Sequence, residues 1–330
     1  MKALGLCIML AVLTTRADAQ GELVFLDSSG VVRWRNTKQE VSLFGANYVL
    51  TTASDYRAAG YVHGDRKRMI DEDMAHFARM GWDALRLTFW GDWESADSAG
   101  NLIANDHLDL LDYLIARARE RGIYMLFSPI QLYGSNWPDA LASSPPGFGR
   151  HFGKARMGTD SGAIAAQVNY LRQILTHVNP YTKVAIKDEP SIIFVELVNE
   201  PWHHPEDLPG SIRYINALTD AVRSTGCTKL IFYNISQDFR IGEAIRQSKA
   251  QGITFGWYPT GLNSGRELVG NYLRGTDAFP DMQRTDLARL PRIVYEFDAP
   301  DLREATMYPA MTRTFRTVGT QFAAMFAYDM

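Results

Sequence analysis

Residues 192–205 read IIFVELVNEPWHHP. An apolar climb through Ile192, Ile193, Phe194 and Val195 breaks into Asn199-Glu200-Pro201-Trp202. The proline stops any strand, because it lacks the N–H that a ladder needs. A greasy strand that ends in an amide and a carboxylate carries a costly group at its tip unless that group is paired or used. A second stretch has the same form: RIVYEFD (292–298) climbs through Ile293, Val294 and Tyr295 to Glu296.

Working outward from these two, short β-branched or aromatic runs alternate with longer stretches at helical spacing. The predicted strands are 41–49, 84–90, 123–130, 191–200, 229–236, 252–260, 292–298 and 321–329. Amphipathic stretches such as DRKRMIDEDMAHFARMG and LDLLDYLIARARERG fall between them, with Gly81, Gly122 and Gly226 where helix C-caps belong. Eight such strands imply a parallel sheet covered on both faces, either open and doubly wound or closed into a barrel. FGANYVLTTA, at the first strand, offers no G-x-G-x-x-G phosphate turn, which favours a (β/α)₈ TIM barrel. The N-terminal stretch ELVFLDSSGVVRWRN reads as a β-hairpin around Asp27-Ser28-Ser29-Gly30. No linker interrupts the pattern, so 20–330 is expected to be one domain, ending on its eighth strand without a final helix. Residues 1–19 have the form of a cleavable signal peptide, with Lys2, an apolar run from Leu4 to Leu13, and Ala17-Asp18-Ala19, so a secreted or periplasmic location is expected. Removal of that leader leaves Cys227 as the only cysteine, read as a small buried hydrophobe.

In a barrel Glu200 ends the fourth strand and Glu296 lies near the end of the seventh, so the two face one another across the mouth. A rim glutamate capping the next helix would be ordinary; two that converge are not. Paired carboxylates are what glycosidic cleavage needs, one to protonate the departing oxygen and one to attack the anomeric carbon or activate water.

KDEPSIIFVELVNEP resembles the fourth-strand signature of the clan A retaining glycoside hydrolases, the cellulase-like, β-mannanase-like and β-galactosidase-like barrels. YEFD resembles their seventh-strand motif, FGANY the first strand, ALRLTFW the second and WYP the sixth. The resemblance runs from about residue 22 to the end, with the hairpin closing the barrel base. It implies Glu200 as acid/base, Glu296 as nucleophile, Arg86 and Tyr258 holding the nucleophile carboxylate, and Asn199 donating to the sugar 2-hydroxyl. On that reading burial raises Glu200 and Glu296 stays ionised. Neighbours on a strand point to opposite faces, so Asn199 and Glu200 can share the cavity only through a local irregularity, expected as a bulge. The chain departs from the family where relatives often carry histidine, having Ser128-Pro129-Ile130-Gln131 and Gly256 there. Where a tryptophan commonly ends the eighth strand, it offers Tyr328.

Of the seven tryptophans, Trp90, Trp93, Trp137, Trp202 and Trp257 follow strand ends. Indoles stack on the C–H faces of sugars, which makes Trp90, Trp137, Trp202 and Trp257 candidate substrate contacts; Trp34 and Trp82 read as structural. Glu196 is expected inside the barrel, paired with a buried arginine. His203-His204 lacks a third ligand at suitable spacing, so no metal and no cofactor are expected, and one of the two is expected to line the cleft. A net charge of −3 gives no electrostatic case for nucleic acid or for anionic membrane. The expected function is hydrolysis of β-linked glycans with retention. The alternatives are a catalytically silent glycan-binding barrel, against which both carboxylates stand, and a metal-dependent barrel hydrolase, for which the first strand lacks His-x-His.

Overall fold

The structure, a computed structural model, describes residues 23–133, 147–261, 266–277 and 280–328. The expected leader and Trp137 lie outside the described residues. The chain begins with an antiparallel hairpin, β1 (Val24–Leu26) and β2 (Val32–Trp34). Its turn is tied by Asp27, whose carboxylate accepts from the backbone N–H of Ser29 at 2.9 Å and of Val31 at 3.0 Å.

Eight parallel strands follow: β3 (Leu43–Tyr48), β4 (Ala84–Thr88), β5 (Tyr124–Ser128), β6 (Ile192–Glu196), β7 (Leu230–Asn234), β8 (Gly252–Trp257), β9 (Arg292–Phe297) and β10 (Thr320–Tyr328). They pair in sequence order, and β10 returns to β3, closing the (β/α)₈ barrel that the alternation implied. The principal helices are α1 (Ala53–Tyr61), α2 (Arg66–Met80), α3 (Gly91–Glu94), α4 (Asp106–Glu120), α5 (Phe148–Phe152), α6 (Ser161–Thr176), α7 (Leu208–Ser224), α8 (Gly242–Gln247) and α9 (Met307–Thr317). Side-chain N-caps start four of them: Asp65, Asn105, Asp160 and Asp207 each accept from backbone N–H groups of the first turn. Gly81, at φ +74°, ends α2 in the left-handed conformation that glycine adopts without a Cβ penalty. Among the described residues between β8 and β9 there are only short 3-10 turns.

Strand periodicity sorts side chains into two cores. Leu85, Leu87, Met125, Phe127, Ile231 and Phe255 point outward against the helices. Ala84, Leu126, Phe194, Phe232, Ile293 and Phe322 point inward, and Val24, Val32 and Val41 complete that inner cluster. The hairpin therefore plugs the base. Gln321 fastens it there, donating to the Val32 carbonyl and accepting from the Val32 N–H, both at 2.8 Å. With the base filled, polar side chains gather at the opposite rim, the C-terminal ends of the strands. Among the described residues no helix is long and apolar enough to cross a membrane.

Candidate active site

The two glutamates reach the mouth by different backbone devices. The β6 ladder stops at Glu196, and Glu200 sits at φ +39°, a region a non-glycine residue enters only at a cost of about 1–3 kcal/mol. That left-handed residue, rather than the bulge expected at this rim, brings Asn199 and Glu200 to the same cavity. The bulge lies in β9. Against β8, Phe255 pairs with Val294 and Gly256 with Glu296, so Tyr295 is the extra residue. Alternation would send Tyr295 inward and Glu296 outward; the inserted residue lets both face the barrel axis.

Beneath them lies a saturated ion pair. Arg86, fully buried in β4, donates to Glu196 through Nε at 3.0 Å and also through Nη2. Nη1 donates to Asn47 at 2.9 Å and Nη2 to Asn199 Oδ1 at 2.6 Å. Glu196 also accepts from Asn234, at 3.0 Å, and from Thr254. The expected pairing of Glu196 with a buried arginine is thus present. Arg86 reaches Glu296 only at 4.0 Å, so it acts on that carboxyl mainly through its charge, and its direct partner is Glu196. The Tyr258 hydroxyl is buried beside Glu296 and lowers its pKa, without closing a hydrogen bond of ordinary geometry.

Glu200 is held tightly. Tyr133 donates to Oε2 at 2.5 Å, Tyr295 donates to Oε1, Ser236 Oγ lies 3.5 Å from Oε1, and Lys154 Nζ lies 3.9 Å from Oε2. Burial pushes this carboxyl up, yet the two phenols and the charges of Lys154 and Arg86 outweigh burial and leave it below its ordinary value. For Glu296 burial, then the charge of Glu200, prevail over Arg86 and push it up to about 8. The expected protonation is therefore reversed in the free site. The two directions favour the proton on Glu296 over Glu200. The physical reason is the count of charges: two cations, Arg86 and Lys154, face three carboxyls, and the proton settles on the one with the fewest donors.

A cavity of about 490 Å³, ordinary for a small-molecule site, opens over the pair and is lined by Trp90, Gln131, Asn199, Tyr258 and Phe326. A second, of about 440 Å³, shares Tyr133, Glu200 and Ser236 with it and continues past Trp202 and His203. Glu296 touches only the first and Glu200 touches both. Trp90 and Trp202 thus border the cleft, and Trp202 is 58% exposed. Trp257 does not: it is 3% exposed, packed edge-on against Phe315 of α9, because alternation along β8 turns it outward with Phe255. Tyr328 also faces away, packing on Phe77 and Tyr48. A register shift in β10 between Met325 and Tyr328 presents Phe326 to the cavity in its place. Trp34 packs on Tyr124 at the base, and Trp82 on Phe77.

The departures at the rim have physical substitutes. A Cβ on Gly256 would stand 3.0 Å from the Tyr295 hydroxyl, so the space where relatives often carry a histidine is filled from β9. At the β5 rim, Ser128 Oγ lies 3.4 Å from Arg86 and Gln131 lines the cavity. Among the described residues no three histidine, cysteine or carboxylate side chains are placed to hold a metal ion. The sequence reading missed Tyr133, Lys154, Ser236, Tyr295 and Phe326; of these, only Tyr295, adjoining a singled-out glutamate, gave any signal.

No protein-family model matches the chain. Mannan endo-1,4-beta-mannosidase 4 of Solanum lycopersicum is 28% identical over 169 residues, 48% of this chain and 40% of that protein. Mannan endo-1,4-beta-mannosidase 1 of the same organism is 29% identical over 170 residues, 49% and 40% of the two chains. The matched stretch thus spans about two fifths of the length of these curated relatives. Three solved structures share the fold. The endo-beta-1,4-mannanase of Thermotoga petrophila superposes with a TM-score of 0.64 at 15% identity, covering 88% of this chain and 68% of that one. A glycoside hydrolase family 5 mannosidase of Rhizomucor miehei gives 0.66 at 15%, covering 92% and 85%. An exo-beta-1,4-mannosidase of an Opitutaceae bacterium gives 0.66 at 18%, covering 92% and 55%.

Proposed function

We propose that this chain is a retaining glycoside hydrolase of β-mannanase type, with Glu200 as acid/base and Glu296 as nucleophile. The observation that carries the reading is the convergence of these two carboxyls, from β9 and from the turn after β6, on one sugar-sized cavity. The likeness of the Asn199-Glu200 and Glu296 strand ends to those of the clan A retaining enzymes supports retention. Similarity to mannan endo-1,4-beta-mannosidases supports β-linked mannose as the sugar class. The N-terminal signal-like stretch supports export, where polymeric glycans are met.

The two adjoining cavities support an assignment of the two sides of the cleft. The sugar under attack lies in the first cavity, where Glu296 can form a bond to its anomeric carbon as the bond to the departing oxygen breaks. Glu200 gives its proton to that oxygen, and the departing sugar lies towards Trp202. In the second step Glu200 takes a proton from water as that water attacks the same carbon, releasing Glu296. Asn199, fixed through Arg86, is in place to meet the 2-hydroxyl. No cofactor enters the scheme.

Release of reducing ends from β-1,4-mannan and β-1,4-glucan, with the first-formed anomer followed by proton NMR, tests the reading. The expected result is mannan cleavage giving the β-anomer first, abolished in Glu296→Ala. No release from any β-glycan, or the α-anomer first, refutes it.

A further inference from the structure

Both oxygens of Glu200 are already occupied. Tyr295 serves Oε1, Tyr133 serves Oε2 at 2.5 Å, and Lys154 stands 3.9 Å from Oε2. A carboxyl that receives a phenol proton on each oxygen is held as an acceptor. Losing one of those donors raises its affinity for a proton and frees a position on that oxygen for a departing sugar oxygen.

The two tyrosines differ in freedom. Tyr295 is fully buried, its ring lies 4.5 Å from the Arg86 guanidinium carbon, and its hydroxyl fills the space above Gly256. It has nowhere to go. Tyr133 is 44% exposed and lines both cavities. Its backbone is fixed, since Asp92 accepts from the N–H of Gln131 at 3.2 Å and of Leu132 at 3.1 Å, and Leu132 turns the chain at φ +57°. Lys154 lies over its ring at 4.0 Å. The anchor holds the two residues before it, and the half-exposed side chain borders open cavity on both sides. The other titratable groups that act on Glu200 are Glu296 and Tyr258 across the cavity, Arg86 below and His203 in its own loop. Among the described residues, Tyr133 alone donates a hydrogen bond to Oε2.

Building on the hydrolase reading, we propose that Tyr133 is a donor displaced by substrate: its hydroxyl occupies, on Oε2 of Glu200, the place that the glycosidic oxygen takes. When Tyr133 leaves, Glu200 loses a donor that favours its charged form, and its affinity for a proton rises. Tyr133 is thus a positioning residue that keeps the free site in its resting protonation.

Tyr133→Phe in the full chain tests this. In substrate-free protein carrying carbon-13 in its glutamate carboxyls, with the Glu200 signal assigned by its loss in Glu200→Gln, the Glu200 midpoint is expected to rise by about one pH unit, a tenfold change in proton affinity. KM for a β-1,4-linked mannooligosaccharide is expected to fall several-fold. Lys154→Met, which leaves the hydroxyl in place, is expected to show no such fall in KM. An unmoved Glu200 midpoint overturns the proposal. So does a rise in KM with equal loss of kcat on good and poor leaving groups, or a fall in KM in Lys154→Met as large as in Tyr133→Phe. If wild type cleaves no β-glycoside, the hydrolase reading falls, and the carboxyl titration still decides whether Tyr133 holds Glu200.

Discussion

Glu200→Gln keeps the shape of the side chain and removes one of the two negative charges at the cavity floor. Glu296 stands at about 8 because burial and the Glu200 charge both oppose its ionisation. Two unit charges about 4 Å apart at an effective dielectric near 20 interact by roughly 4 kcal/mol, which is about 3 pH units. Burial persists in the variant, as do the opposing influences of Arg86 and Tyr258. Glu296 is therefore expected to titrate near pH 5 once Glu200 is neutral. The assay is the pre-steady-state release of dinitrophenolate from an activated β-mannoside, a leaving group that needs no acid. The release rate rises with the ionised fraction of the nucleophile, so its midpoint should lie about 3 units below the Glu296 value in wild type. In wild type kcat/KM should be bell-shaped. Its alkaline limb, near 8, reports loss of the shared proton; its acid limb, below 4.5, reports a second proton on the pair. A midpoint that stays near 8 in Glu200→Gln would refute the charge count on which the site is built.

Three further outcomes follow from the same contacts. A folded-state pKa raised from 4.5 to about 8 means that Glu296 favours the fold fully below pH 4.5 and loses that contribution as pH rises through 8. Glu296→Gln should therefore match wild type in thermal melts at pH 4 and exceed it at pH 9, by on the order of 3–5 kcal/mol, while abolishing turnover. Glu196→Ala leaves the Arg86 guanidinium buried without its principal partner, and urea denaturation should show a loss of about 3–5 kcal/mol. Trp202→Ala should raise KM for mannooligosaccharides about tenfold, the effect of losing one stacking face of roughly 1.4 kcal/mol, and leave a small aryl glycoside unchanged.

The barrel was legible because each strand is a short, almost wholly apolar run, and because Glu200 and Glu296 each break such a run near its end. Arg86 and Glu196 could be read as buried for the same reason: a charge inside an apolar strand must find its opposite. The remainder depends on register, which a single strand does not contain. Tyr295 looked like one more core aromatic, and only its pairing with β8 and β10 makes it the inserted residue that turns Glu296 inward. Phe326 replaced Tyr328 at the cavity through a register shift of the same kind. Trp257 is different: alternation with Phe255 places it outward, although it follows a strand core. Tyr133 and Lys154 lie in irregular segments, where no periodicity says which side chain meets which. The resting proton was misplaced because it depends on those two side chains and on Tyr295.

The return of β10 to β3 has a consequence for biosynthesis. The first barrel strand can find its second neighbour only after residues 320–328 have been made, and Gln321, which clasps the hairpin, belongs to that same last strand. Throughout translation β3 therefore presents a bare hydrogen-bonding edge, and β9 presents another until β10 arrives. A chain shortened before Thr320 keeps both edges open for good. Such a product should accumulate as aggregate rather than as a slightly weakened enzyme, and the nascent chain has reason to be met by a chaperone before its final strand emerges.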